Sequence, residues 1–208
     1  MKFADLSTAE KLEHIWIYYK FHILGGIALI LIVVYFISSM AGRIPSALNV
    51  EIVSDNIPPR AAAALQARAT AALIPAGRRE QVQVGVLPMA GTLASPQNEN
   101  AVMGLMARIA ARDIDVFIAD RADFSLLAKD GVLADLSRTG LPRAVFANPK
   151  LAVSARVKGG HAAIVGLNLG HDRAFQNLVR PRGDNIVGIM KGAAHMSQAR
   201  RFVAWLLR

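Results

Sequence analysis

No cysteine occurs among the 208 residues, so disulfides, thiolate metal sites and a cysteine nucleophile are all excluded. Equally missing are a P-loop, a G-x-G-x-x-G after a strand and a G-x-S-x-G. Nucleotide hydrolysis, dinucleotide binding and hydrolase chemistry therefore lack their usual marks. The basic pairs Arg78-Arg79, Arg180-Pro181-Arg182 and Arg200-Arg201 have no aromatic residues interleaved, which argues against nucleic acid as a partner. No internal repeat and no low-complexity linker interrupts the chain. Acidic residues are scarce: 15 Asp and Glu face 24 Lys and Arg, a formal charge of +9. In residues 1–20, Lys2, Lys11 and Lys20 balance Asp5, Glu10 and Glu13, so the excess lies further on, mostly as arginine. A basic surface of this kind is drawn to anionic lipid or to acidic polymers such as those of a cell wall, unless it is simply solvated.

Charge is absent altogether from Phe21 to Met40, FHILGGIALILIVVYFISSM. A hydrocarbon core of ~30 Å needs roughly 20 apolar residues at 1.5 Å rise each, and this run has that length. Backbone groups in lipid must be satisfied within the segment, so a lone span is helical despite its β-branched residues. Trp16, Tyr18 and Tyr19 mark one interface, Tyr35 and Phe36 the approach to the other. Residues 1–20 form an amphipathic leader: Ser7 and Glu10 have capping-box spacing, and Leu12, Ile15, Trp16 and Tyr19 recur on one helical face. A cleavable signal peptide is the rival reading, with Ser39 and Ala41 as the small residues. The apolar run exceeds the usual ~7–15 residues of such peptides, which favours an uncleaved anchor in the cell membrane. Three lysines before the span against Arg43 and Arg60 after it bias the N-terminus inward and the C-terminal domain outward.

Residues 44–208 read as one extracytoplasmic α/β domain. Leu48 to Val53 is a strand and Pro59 to Leu73 a helix bounded by prolines. Gln81 to Leu87 alternates like an edge strand. Ser95-Pro96 starts a helix with Val102, Leu105, Met106 and Ile109 on one face. Val116 to Ala119, wholly apolar, suits the centre of a parallel sheet, and Asp123 caps a short helix that stops at Gly131. Strand-helix alternation of this kind predicts right-handed crossovers and a three-layer α/β domain with a mainly parallel sheet. Beyond it, Ala144 to Val157 reads as one or two strands, Ala162 to Leu169 as another, Asp172 to Val179 as a helix, Asn185 to Met190 as a strand, and Ser197 to Leu207 as a closing helix.

Several stretches carry a resemblance. Asp113 to Ser137, DIDVFIADRADFSLLAKDGVLADLS, resembles the buried strand, helix and exit turn of extracellular solute-binding proteins. Ala162 to Gly170 and Asn185 to Leu207 are similar to later elements of that superfamily. The leader Glu10 to Gly26, EKLEHIWIYYKFHILGG, resembles that of single-pass membrane proteins of Gram-positive bacteria carrying such a domain. The resemblance implies a reduced domain like one lobe of a type II periplasmic binding protein. The interval from Ser137 to Ala162 is too short for a full second lobe.

Residue chemistry is sparse. Asp113, Asp115, Asp120 and Asp123 form the densest acidic group, but they spread over a strand and its two ends, where helix capping explains them better than metal ligation. His161, His171 and His195 sit apart near glycines, as surface histidines do. No metal, cofactor or enzymatic constellation is expected. In open α/β sheets ligands gather outside the carboxyl ends of the strands. Those ends supply Ser54, Asp55 and Asn56, then Met89 after Pro88, then Asp120 and Arg121, with Asn168 from a later strand. The expected role is non-catalytic recognition of a ligand, surface polymer or protein partner beside the lipid bilayer. The alternative is a scaffold or accessory subunit of a membrane protein complex that binds no small molecule.

Overall fold

The computed structural model describes residues 8–41, 44–54, 57–146, 151–156, 162–170 and 184–207. The chain divides into two units, Met1–Ile44 and Pro45–Arg208. The first is one helix, α1 (Thr8–Ala41, 34 residues). Leader and apolar run therefore join without a break, and Ser7 of the expected capping box lies outside the described residues. Within α1, Tyr19–Ser38 is 20 residues long, apolar and nowhere buried, so by length and composition it can cross a bilayer.

The second unit follows the expected alternation through its first half. β1 (Ser46–Val53) is followed by α2 (Pro59–Leu73), β2 (Gln81–Leu87), α3 (Glu99–Ala110), β3 (Val116–Asp120) and α4 (Arg121–Asp130). A 3-10 turn at Pro96–Asn98 leads into α3. Then come β4 (Ala152–Arg156), β5 (Ala162–Asn168), β6 (Asn185–Ile189) and α5 (Met196–Leu206). The stretch read as a first strand after Ala144 is instead a 3-10 turn, Arg143–Phe146. The helix expected at Asp172 to Val179 falls outside the described residues, as do His161, His171 and Arg180 to Arg182.

The sheet order is β2-β1-β3-β6-β5-β4. β1 runs parallel to β2 and β3, but the β3–β6, β6–β5 and β5–β4 pairs are antiparallel. The sheet is thus mixed, not mainly parallel. For β4 and β5 the connection forces this, since a parallel return needs a crossover of about a dozen residues or more and only residues 157–161 separate the two strands.

Side-chain alternation sorts the core into two layers. Leu48, Val50, Ile52, Val116 and Ile118 face α2 and α5, where Leu65 and Phe202 are fully buried. Val53, Phe117, Ala119 and Ile186 face α3 and α4, where Leu105 and Phe124 close the layer. Helices on both faces make three layers. Phe124 lies over Gly166 and Gly188; a Cβ on either glycine would overlap its ring.

One polar group is built into the second layer. Glu51, 2 % exposed, points from β1 toward α3, and a Cβ at Gly85 on β2 would overlap its carboxylate. Arg108 Nη1 stands 2.8 Å from Glu51 Oε2, and Arg108 Nε 3.2 Å from Asp113 Oδ2. Among the described residues Arg108 is the cation that balances the Glu51 carboxylate. Burial pushes the Glu51 carboxyl above its ordinary value, and the Arg108 charge only partly offsets this. For Arg108, partial burial disfavours the charge, but the Glu51 and Asp113 carboxylates outweigh it and raise its pKa. At the start of β3 the buried Asp115 carboxylate accepts from the backbone N–H groups of Asn49 (2.9 Å) and His195 (2.8 Å). His195 Nδ1 is 2.9 Å from the same carboxylate, so Asp115 ties β1 to the start of α5.

Candidate functional site

α2 leaves β1 toward one face of the sheet and α4 leaves β3 toward the other, so connections diverge at the carboxyl ends of the neighbouring strands β1 and β3. Diverging connections leave a gap at that point. The gap here is a crevice of about 130 Å³ whose walls are Val53 and Ser54 from β1, Met89 and Gly91 from the loop after β2, and Asp120, Asp123 and Asn185.

The loop after β2 is held in shape by side chains from three places. Gly91 takes φ +85°, where a side chain would be strained. Thr92 N–H donates to Ser95 Oγ (3.1 Å), and buried Asn98 donates through Nδ2 to the carbonyls of Ala90 (3.1 Å) and Thr92 (2.8 Å). Leu93 N–H donates to Asp123 Oδ1 at 2.7 Å, tying the loop to α4. The crevice wall is therefore pre-organised.

Of the two aspartates that the sequence offers as a cap, Asp120 and Asp123, the one that caps α4 is Asp120: its Oδ1 accepts from Asp123 N–H at 2.9 Å. Asp123 sits inside the first turn, 3 % exposed. Burial pushes its carboxyl upward, the Asp120 charge adds to this, and the Leu93 hydrogen bond opposes it. Two carboxylates at one helix N-terminus are tolerated because the positive end of the helix dipole favours them. In a domain with excess positive charge, they give the crevice the chemistry to receive a cationic head group, an ammonium or a guanidinium.

Of the residues expected at the strand ends, Ser54, Met89 and Asp120 converge on this crevice. Asp55 and Asn56 lie outside the described residues. Arg121 is exposed and pairs with Asp184 at 3.3 Å, an open contact of little energetic weight. Asn168 turns its Oδ1 to Gly170 N–H at 2.7 Å and shapes the end of β5. Asp123, Gly91 and Asn185 complete the crevice without having been expected there. Asn185 arrives because β6 is antiparallel to β3 and its first residue pairs with Asp120; a parallel β6 would have brought Met190 to this end. The remaining acids disperse: Asp113 pairs with Arg108 and Asp115 holds His195. Among the described residues no group of three His, Asp or Glu side chains is placed to hold a metal ion.

A second concavity, an open apolar groove of about 910 Å³, runs between α2 and β2 along Ala63, Ala67, Val84 and Val86. β2 is an edge strand, and two of its backbone N–H groups are already taken by α2: Val82 donates to Thr70 Oγ1 (3.1 Å) and Val84 to Gln66 Oε1 (3.2 Å). Such side-chain caps discourage strand addition at the edge. Compared with family models, curated proteins and solved structures, the chain finds no match in any of the three.

Proposed function

We propose that this chain is a membrane-anchored, extracytoplasmic recognition protein, built like one lobe of a solute-binding protein and acting without a catalytic step. Its crevice would take a cationic side chain of a protein partner. The observation that carries this reading is the crevice itself: pre-organised, acidic through Asp120 and Asp123, and only about 130 Å³ in volume. Pockets for metabolites run to ~300–1,000 Å³, so the volume favours one head group on a larger partner over an enclosed solute. The apolar α1 helix supports the anchor, and the lysine bias of the leader supports the outward domain. A scaffold role within a membrane complex is the second reading, favoured by the apolar α2–β2 groove.

The test places a photo-crosslinking residue at Arg121, exposed beside the crevice, with Arg79 as control, in intact cells. The expected result is a discrete crosslinked protein from position 121 only. That product should disappear in Asp120→Ser/Asp123→Asn, in which serine still caps α4 and asparagine still accepts from Leu93. Retention of the product by a cooperatively folding double variant refutes the crevice. A melting temperature raised by a member of a small-solute panel, as expected for a ligand that binds only the native state, would shift the reading to solute capture.

A further inference from the structure

A cavity of about 480 Å³ lies away from the crevice, at the opposite end of the strands, where α3 and α4 finish and β6 turns toward α5. Its apolar lining includes Ile109, Ile114, Val132 and Met190, and two cations, Arg112 and Lys191, stand at it. Both are exposed, and neither makes an ion pair among the described residues.

Arg112 is where the geometry becomes informative. α3 ends in a Schellman arrangement, with Arg112 N–H donating to the Ile109 carbonyl and Asp113 N–H to the Arg108 carbonyl, both at 3.0 Å. The residue after the cap must then be left-handed, and Arg112 has φ +57°, the single non-glycine residue with positive φ among those described. Glycine is the usual occupant because it alone takes that conformation without strain. An arginine held there brings its side chain to the cavity at a cost that a capping role does not require. The Arg112 side chain lies along the facing turn: Gly192 has φ +78°, and a Cβ there would be in ordinary contact with Arg112 Nε, at 3.6 Å. That turn is itself fixed, with Lys191 N–H donating to the Val132 carbonyl at 2.7 Å and Met190 N–H to the Asp115 carbonyl at 2.8 Å.

We infer that this cavity is a binding site for an anion that carries a short apolar body, a carboxylate or phosphate whose head group is gripped by Arg112 and Lys191. Guanidinium binds such oxyanions through paired N–H donors, and ammonium adds a point charge. The volume falls within the ~300–1,000 Å³ of small-molecule sites, and the mix of apolar wall and few polar groups is the usual one. The same chemistry is offered by a free amphiphile and by an anionic lipid.

The experiment uses the full chain in phosphatidylcholine nanodiscs and follows phenyl phosphate by calorimetry, with inorganic phosphate and phenol as half-probes. Phenyl phosphate should bind measurably more tightly than either half. Arg112→Gly and Lys191→Gln should each weaken it about tenfold or more, as expected for loss of one hydrogen bond to a charged group. Arg112→Gly should meanwhile melt no lower than the unaltered chain, since glycine suits the left-handed position. Competition when the discs are doped with phosphatidylglycerol identifies lipid as the source; its absence identifies a free amphiphile. Equal binding of inorganic phosphate and phenyl phosphate, no binding of either, or unchanged binding in Arg112→Gly overturns the proposal and leaves the two cations as partners of helix C-terminal carbonyls.

Discussion

Removal of the Arg108 guanidinium provides a quantitative test of how the second core layer is held. Glu51 is 2 % exposed, and among the described residues its cation is Arg108 at 2.8 Å. Without Arg108 a charged Glu51 would be buried and uncompensated, a situation that costs about 3–5 kcal/mol in proteins. The folded chain has a cheaper route, which is to protonate the carboxyl. From the ordinary value of 4.5 to pH 7 is two and a half pH units, at about 1.36 kcal/mol each, so the electrostatic cost of Arg108→Ala is capped near 3.4 kcal/mol. The sign follows from linkage. Burial raises the folded pKa of Glu51 above its unfolded value. The folded state therefore keeps a proton that the unfolded state has lost, and stability falls as pH rises above the unfolded value toward the folded one. Arg108→Ala lifts the folded pKa further and widens that window. The deficit relative to the unaltered chain should thus be larger at about pH 7 than at about pH 5, with a slope of at most ~1.4 kcal/mol per unit. Urea unfolding of the full chain in a nonionic detergent, in a Trp16→Phe background so that Trp205 alone fluoresces, measures it; the Trp205 ring lies tilted against buried Phe202, 5.8 Å between centroids. Glu51→Gln/Arg108→Ala removes the titrating group and should show no such slope. A deficit equal at both pH values in Arg108→Ala would refute the reasoning, because it would mean that Glu51 is not the group whose charge Arg108 balances.

Two further perturbations address packing and topology. Phe117→Ala, at a fully buried position, should cost about 3–5 kcal/mol through lost burial and a cavity, and Gly188→Ala about 1–3 kcal/mol by forcing the Phe124 ring from its seat. Arg79→Ala, exposed before β2, should be nearly neutral, and equal urea midpoints for all three would contradict the layer assignment. Cysteines at Ser7 and Ser137 should differ toward an impermeant maleimide on intact cells, only the second reacting. The reverse pattern would invert the orientation, and a mature chain beginning near Gly42 would remove the anchor.

The first half of the domain is legible in the sequence because its boundaries are set by local rules. Pro59 and Pro75 bracket α2, Gly131 stops α4 at φ +71°, and the alternation in β2 matches its edge position. Strand direction in the second half is not encoded that way. All five residues of β6 are buried, so its pattern reads identically in either direction, and the connection from β5, residues 169–184, is long enough for either. The 3-10 turn at Arg143–Phe146 resembles a strand in sequence for a related reason: a short apolar run with no period is compatible with strand or turn. The same limit governs the crevice. Ser54, Met89 and Asp120 follow from knowing where parallel strands end. Asn185 depends on the direction of β6, and Asp123 on a helix that starts three residues earlier than a cap at that position implies.

The two candidate sites also show how little the sign of a charge proves by itself. The N-terminus of α4 meets the crevice, while the C-termini of α3 and α4 meet the lower cavity. Helix dipoles alone would place carboxylates at the first and cations at the second, each contributing about 0.3–1 kcal/mol. Asp120 and Lys191 therefore need no ligand to explain them. Asp123 and Arg112 do not fit so easily. Asp123 keeps an ionisable group at 3 % exposure, where burial raises its pKa and a neutral asparagine could accept the same Leu93 hydrogen bond. Arg112 occupies a left-handed position that disfavours any side chain by about 1–2 kcal/mol. These are the residues at which local stability and the observed side chain disagree, and a disagreement of that kind is where a binding function leaves its mark.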